Sequence, residues 1–285
     1  MQSNNPVFRR SGEFNRSGAY ANQTYAGNGT TSGYGSDPST WGVGVPGETT
    51  GYTTTPDQGR MTIDSVVQKT GISLGVVILT AIATWVLTPD VVPGADISAL
   101  MAAATIGSLG AFALSMVNSF KKVVSPALVL AFAALEGVAL GAISKIFDAQ
   151  FGDGVVSGAV FGTFAAFAGT LAAYKFLNIK VGDKFRRGVM AAVFGMVGLS
   201  LVSLVMSLFG FNIGLFGVTG IGMITAVAGL VLGVFMLIMD FDFVEQGIAN
   251  RLPERDSWIA AFAMTVSLVW IYTNLLRILA FFNQD

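Results

Sequence analysis

Cysteine and histidine are both missing from the 285 residues, and charged side chains make up only 12%. The first two absences exclude a disulfide, a thiolate nucleophile, a haem held by histidine and a zinc site of His/Cys type. They also remove histidine as a sensor of pH near neutrality, so any such response must rest on carboxylates. A soluble domain carries about 25% charged residues. Half that share, with 53% hydrophobic residues and a mean hydropathy of +0.65, places the chain in the membrane class. A formal net charge of −1 is not the basic balance that a nucleic-acid partner requires. Acids, amides and hydroxyls are the chemistry that remains, and the expectation is a protein that is not an enzyme and needs no cofactor.

What the chain does have is long apolar runs. Residues 1–60 are rich in Gly, Ser, Thr, Asn and Tyr, carry no apolar periodicity, and read as a disordered cytoplasmic tail. Phe8-Arg9-Arg10 is followed by no apolar stretch, so no cleaved signal is expected. Residues 61–285 read as a transmembrane domain of seven spans: Ile72–Leu87, Ile97–Asn118, Ala127–Ile146, Val155–Tyr174, Val189–Phe209, Leu215–Met239 and Trp258–Phe282. Most reach the ~20 residues that cross ~30 Å of hydrocarbon. The first is short and is expected to begin near Val66, with Lys69 reaching back to the interface. The fold class is therefore an all-α integral membrane protein, a seven-helix bundle behind a disordered N-terminal tail.

Basic residues fall in alternate loops. Arg60 and Lys69, then Lys121 and Lys122, then Lys175, Lys180, Lys184, Arg186 and Arg187, then Arg251 and Arg255 all lie on the tail's side, whereas the opposite loops hold only Lys145. The positive-inside rule then gives an N-in, C-out protein, multi-pass in the cell membrane. Gly71/Gly75, Gly137/Gly141, Gly158/Gly162 and Gly229/Gly233 each place two glycines four apart, a spacing that lets helices approach closely in lipid.

Ionisable groups inside a span are costly and mark a pathway or a partner. Glu136, in "FAALEGVALG", sits mid-span and is either bonded to a neighbouring helix or set in a polar cavity. Nothing breaks the sixth helix through "MDFDFVEQGIAN", so Asp240 lies ~15 Å inside the edge marked by "NRLPERDSW". Asp256 or Ser257 is the expected N-cap of the last helix. At ~100° per residue Asp242 points nearly opposite to Asp240, and only one of the two faces the bundle centre. Asp240 follows the apolar run directly and lies deeper, so it is the inward candidate. Asp242 and Glu245 are then expected at the inner mouth, where negative charge concentrates cations. Arg277, about a turn from the outer end of the last span, reads as an interfacial anchor or as an outer latch.

Taken together, an "ALEGVALGAIS" third helix, an Asp-bearing sixth helix and "WIYTNLLRIL" in the seventh resemble the Bax inhibitor-1 (transmembrane BAX inhibitor motif) family, closest to its bacterial, actinobacterial-type branch. The resemblance covers about residues 60–282. It implies a pH-sensitive calcium leak in which acids on the sixth and seventh helices share protons. Asp240 matches the sixth-helix acid, with Asp242 the fallback. The seventh-helix acid falls at Asn274, where this chain carries an amide. An Asp–Asn pair lacks the repulsion that couples two carboxylates, and an amide offers calcium less charge.

Two functions are therefore open. In the first, Glu136, Asp240 and Asn274 line a polar path for calcium or another cation, with Asp240 and Glu136 as transient calcium contacts and no resident metal. In the second, a membrane regulator without transport binds other membrane proteins or a membrane protease. An intramembrane aspartyl hydrolase is disfavoured, because Asp240 and Asp242 face apart on one helix.

Overall fold

The computed structural model describes residues 59–92, 96–121, 124–152, 154–211 and 214–284. The segment read as a disordered tail lies outside the described residues, apart from Gly59 and Arg60. The described chain is helical: α1 (Ile63–Leu87), α2 (Ser98–Phe120), α3 (Pro126–Phe151), α4 (Val155–Phe176), α5 (Asp183–Leu208), α6 (Gly220–Ala249) and α7 (Ser257–Phe282), with a 3-10 turn, Glu254–Asp256, leading into α7. All seven are long and apolar enough to cross a membrane. They lie close to the apolar runs, with differences at the ends. α1 starts at Ile63 on a Thr62–Ser65 capping box, in which each residue's backbone N–H donates to the other's hydroxyl oxygen. α6 begins five residues later than the run, on the Thr219 cap, and continues past both aspartates to Ala249.

α7 is the most enclosed helix and α5 the least: 61% of the apolar window of α7 is buried, against 6% for α5. α1, α3, α4 and α6 all pack on α7, while α2 packs on α3 and α5 chiefly on α6. In lipid, helices gain nothing by hiding apolar surface from water, so close backbone approach does the holding. Three of the four glycine pairs serve it. A Cβ on Gly137 or Gly141 would run into the backbone of Val77 and Ala81 on α1 and one on Gly229 or Gly233 into the side chains of Asn274 and Ile271, while one on Gly158 or Gly162 would only crowd the side-chain tips of Leu279 and Leu275. Gly71 and Gly75 have nothing near them and so are not packing glycines.

The tail-side end is tied by polar contacts. Residues 59–61 run antiparallel to 252–254, with Met61 N–H donating to Leu252 O at 2.8 Å and Glu254 N–H to Gly59 O at 2.6 Å. Met61 is buried against Gly247. Lys69 reaches back to the edge turn, where its ammonium donates to Glu254 O at 2.8 Å and pairs with Glu254 Oε1 at 3.1 Å. Asp256 occupies the N-cap position of α7 without capping it, and the Ser257 hydroxyl instead bonds Ser65 Oγ across to α1 at 2.8 Å. At the opposite end, Lys145 is drawn into the protein. It donates to Trp85 O and Thr88 O at the end of α1, at 2.9 and 2.7 Å, and pairs with Asp90 at 3.2 Å. A cation on the last carbonyls of a helix satisfies groups that have no partner in the helix itself. This accounts for the single lysine on that side.

The glycine contacts carry a prediction. Gly141→Ala, whose methyl meets α1 backbone, is expected to lose roughly 1–3 kcal/mol. Gly71→Ala, whose methyl meets nothing, is expected to be neutral or to gain up to about 1 kcal/mol. Thermal unfolding of the two variants in one detergent measures the contrast.

Candidate functional site

The ionisable side chains inside the spans fall into two groups, those neutralised by a partner and those that are not. Asp240 leaves α6 towards α7, where Ser267 Oγ donates to its Oδ2 at 2.5 Å. Among the described residues no basic side chain pairs with it. Glu136 leaves α3 towards α7, on the same arc as Phe132 and Leu140. Its carboxyl has neither a hydrogen-bond nor an ion-pair partner among the described residues.

The two carboxylates approach α7 at nearly the same height. The Phe132 and Phe262 rings meet edge-on at 5.0 Å, and Ser144 bonds Tyr272 at 2.6 Å, so α3 and α7 run parallel and Glu136 comes level with Thr265. Ser267, the partner of Asp240, is two residues on. At ~100° per residue, Phe262 and Ser267 point about 140° apart, so α7 itself stands between the two acids.

Asn274 is not the partner of Asp240. It lies two turns beyond Ser267, ~10 Å along α7, and packs on Gly229, where a Cβ would strike its amide. Its Nδ2 donates to Trp270 O at 2.7 Å, and its Oδ1 accepts from Arg277 at 3.4 Å. The expected Asp240–Asn274 pair is thus replaced by Asp240–Ser267. The offset follows from the antiparallel register of α6 and α7, which Gly229 and Gly233 fix by seating Asn274 and Ile271.

Arg277 points inward and fastens the loop before α6. Its Nη2 donates to Leu215 O at 3.1 Å, Gly222 O at 2.9 Å and Thr225 Oγ1 at 2.9 Å, and its guanidinium lies 5.3 Å from the Phe216 ring centre. Carbonyls hold this cation, and no acid pairs with it among the described residues.

Asp242 does face away from Asp240, as its spacing requires, but it is not an open charge at a mouth. It is buried and accepts from Arg186 of α5 at 2.9 Å and from Gln246 Nε2 at 2.7 Å. Glu245 is exposed and accepts from the Tyr174 hydroxyl of α4 at 2.6 Å. Together with the Phe185–Phe235 ring contact at 5.4 Å, the Arg186–Asp242 pair fastens α5, which buries only Val189. Sequence reasoning left Arg186 among the basic loop residues and gave no role to Ser267. The nearly opposite facing of Asp242 turns it to another side of α6, and nothing local says which helix lies there. No cluster of three acidic side chains that could hold a metal ion occurs among the described residues.

Removing Arg186 leaves a buried carboxylate without its counter-charge. Arg186→Ala is expected to cost about 2 kcal/mol, and Asp242→Asn in the same chain to recover most of it. Thermal unfolding of the single and double variants in detergent tests the pair. Equal losses in both would show that the unpaired Asp242 carboxylate carries no penalty.

Comparison with known proteins agrees with the architecture. A Chlamydia muridarum (strain MoPn / Nigg) protein described as uncharacterized is 30% identical over 158 residues, which is 54% of this chain and 63% of that protein. The chain thus spans less than two thirds of this relative's length. The family model described as Bax inhibitor 1 like matches residues 5–284, nearly the whole sequence. With seven apolar helices, an acid-bearing sixth helix and a match of that extent, the chain belongs to the Bax inhibitor 1-like family.

Proposed function

We propose that the protein is a cation leak of the cell membrane, calcium being the principal ion, and that its α6 carboxylate Asp240 is the group ions or protons engage. The observation that carries this reading is the contact of Asp240 with Ser267. An aspartate most of three turns inside the helix end, held by one hydroxyl and no basic side chain, has no fixed counter-charge. A mobile cation or a proton supplies it. Structural acids in the same protein are treated differently: Asp242 has Arg186, and Glu254 has Lys69. Glu136 is a second carboxylate without a counter-charge at the same level, on the far side of α7. The tail then lies in the cytoplasm, where the basic loops also lie. Glu245 is exposed on the same helix as Asp240 and meets ions arriving from that side.

With Ser267 as the neighbour, one carboxylate and not two titrates at this point of the α6–α7 seam. A pH response therefore belongs to Asp240 as a single group. Asn274 belongs to the Arg277 cluster and stands outside it.

The second reading, a regulator that binds other membrane proteins, draws on α5. Nearly all of that helix faces outward, including Phe194, Leu201 and Val205. A pull-down that survives Asp240→Asn and fails on α5 surface variants would support it.

Liposomes loaded with a calcium indicator test the leak directly. Wild type is expected to admit calcium above empty liposomes, with a rate that differs between pH 6, 7 and 8. Asp240→Asn is expected to change the rate several-fold and flatten the pH dependence, whereas Asn274→Asp leaves the pH profile as it was. Flux equal to empty liposomes, with folded protein present, contradicts the proposal.

A further inference from the structure

A groove of about 430 Å³ opens on the outside of the bundle between α1 and α4, with α3 and α7 as its floor. On α1 it runs from Leu74 to Trp85, ~16 Å of helix rise. That is the hydrocarbon depth of one leaflet, about half of the ~30 Å core. Its length therefore matches one lipid tail lying along the membrane normal, in the leaflet at the C-terminal end of α1.

The lining says what can occupy it. Ile78 and Ile82 of α1 face Val160 and Phe164 of α4 across a floor that includes Leu140 and Leu268. Three hydroxyls reach the walls, and all three are already bonded inside the protein. Ser144 and Tyr272 bond each other at 2.6 Å, and Thr163 donates to Ala159 O at 2.7 Å. An ordered water needs two to four polar partners, and the hydroxyls here are engaged with one another or with the backbone. Its mouth is continuous with the lipid-facing surface, where Leu79 and Val86 of α1 and Phe161 of α4 are exposed on either side.

We infer that the groove is a binding site for one acyl chain of a bilayer phospholipid, which packs between α1 and α4 as a further element of the bundle. Left empty, an apolar groove forfeits the dispersion contacts of its walls and floor, and the tail restores them. The site is separate from Asp240 and does not depend on the proposed leak.

The test uses the full chain in palmitoyl-oleoyl phosphatidylcholine vesicles containing a phosphatidylcholine with a diazirine at mid-chain. After illumination, labelled residues are mapped by peptide mass spectrometry. Labelling at Ile78, Val160 and Phe164 is expected to exceed that at Leu79 and Phe161 at least fivefold. Native mass spectrometry of the detergent-solubilised protein is expected to retain one phospholipid. Val160→Trp, which fills the groove, is expected to lose both signals, and Leu79→Trp, on the outward face, to keep both. Labelling spread evenly over groove-lining and outward-facing positions would overturn the inference, as would Val160→Trp that labels like wild type. If Val160→Trp does not fold, the wild-type labelling pattern alone decides.

Discussion

The bilayer core has no water to satisfy a polar group, so each hydroxyl and amide on α7 must find its partner in the protein. That constraint organises the molecule. Ser257, Thr265, Ser267 and Asn274 are all buried on one helix. Ser257 binds α1 through Ser65, Ser267 binds α6 through Asp240, and Thr265 and Asn274 return to carbonyls of α7 itself. The Trp270 indole adds a bond to Gly229 O on α6 at 2.9 Å. α7 therefore sits inside the bundle and the other helices take positions that meet its polar groups.

The same scarcity of partners sorts the charges. Lys69 ties α1 to the turn before α7, Lys145 closes the end of α1, Arg186 and Asp242 fasten α5, and Arg277 holds the loop before α6. Each ties two segments that apolar packing alone would leave free to slide. Asp240 is tied to α7 only through the Ser267 hydroxyl, and Glu136 makes no such tie among the described residues. Their carboxyls face α7 from two sides without a cation, in a protein that otherwise gives its inward charges partners. This contrast within one molecule supports reading Asp240 as a working group.

Much of the fold was legible in the sequence because lipid imposes length and hydropathy directly. Seven apolar runs became seven helices, and the unbroken pattern through "MDFDFVEQ" placed Asp240 well inside α6, as found. The opposite facing of Asp240 and Asp242 also followed, since it depends only on helical periodicity. What periodicity cannot supply is the register between two helices. Asn274 was matched to Asp240 through a family pattern, whereas Gly229 and Gly233 set the antiparallel register that brings Ser267 there instead. Local spacing was equally silent on Arg186, whose partner is 56 residues away, and on Lys69, whose partner is 185 away. The glycine pair at Gly71 and Gly75 shows the converse error, in which a packing motif faces open space.

The α6–α7 register is the point on which the account turns, and the absence of native cysteine makes it measurable without background. Paired cysteines at 240 and 267, and separately at 240 and 274, would be oxidised in native membranes and scored by the shift in gel mobility under intramolecular cross-linking. The account predicts rapid closure of the 240–267 pair and little or none of the 240–274 pair. Efficient closure of 240–274 with none at 240–267 would contradict it and return Asn274 to the side of Asp240.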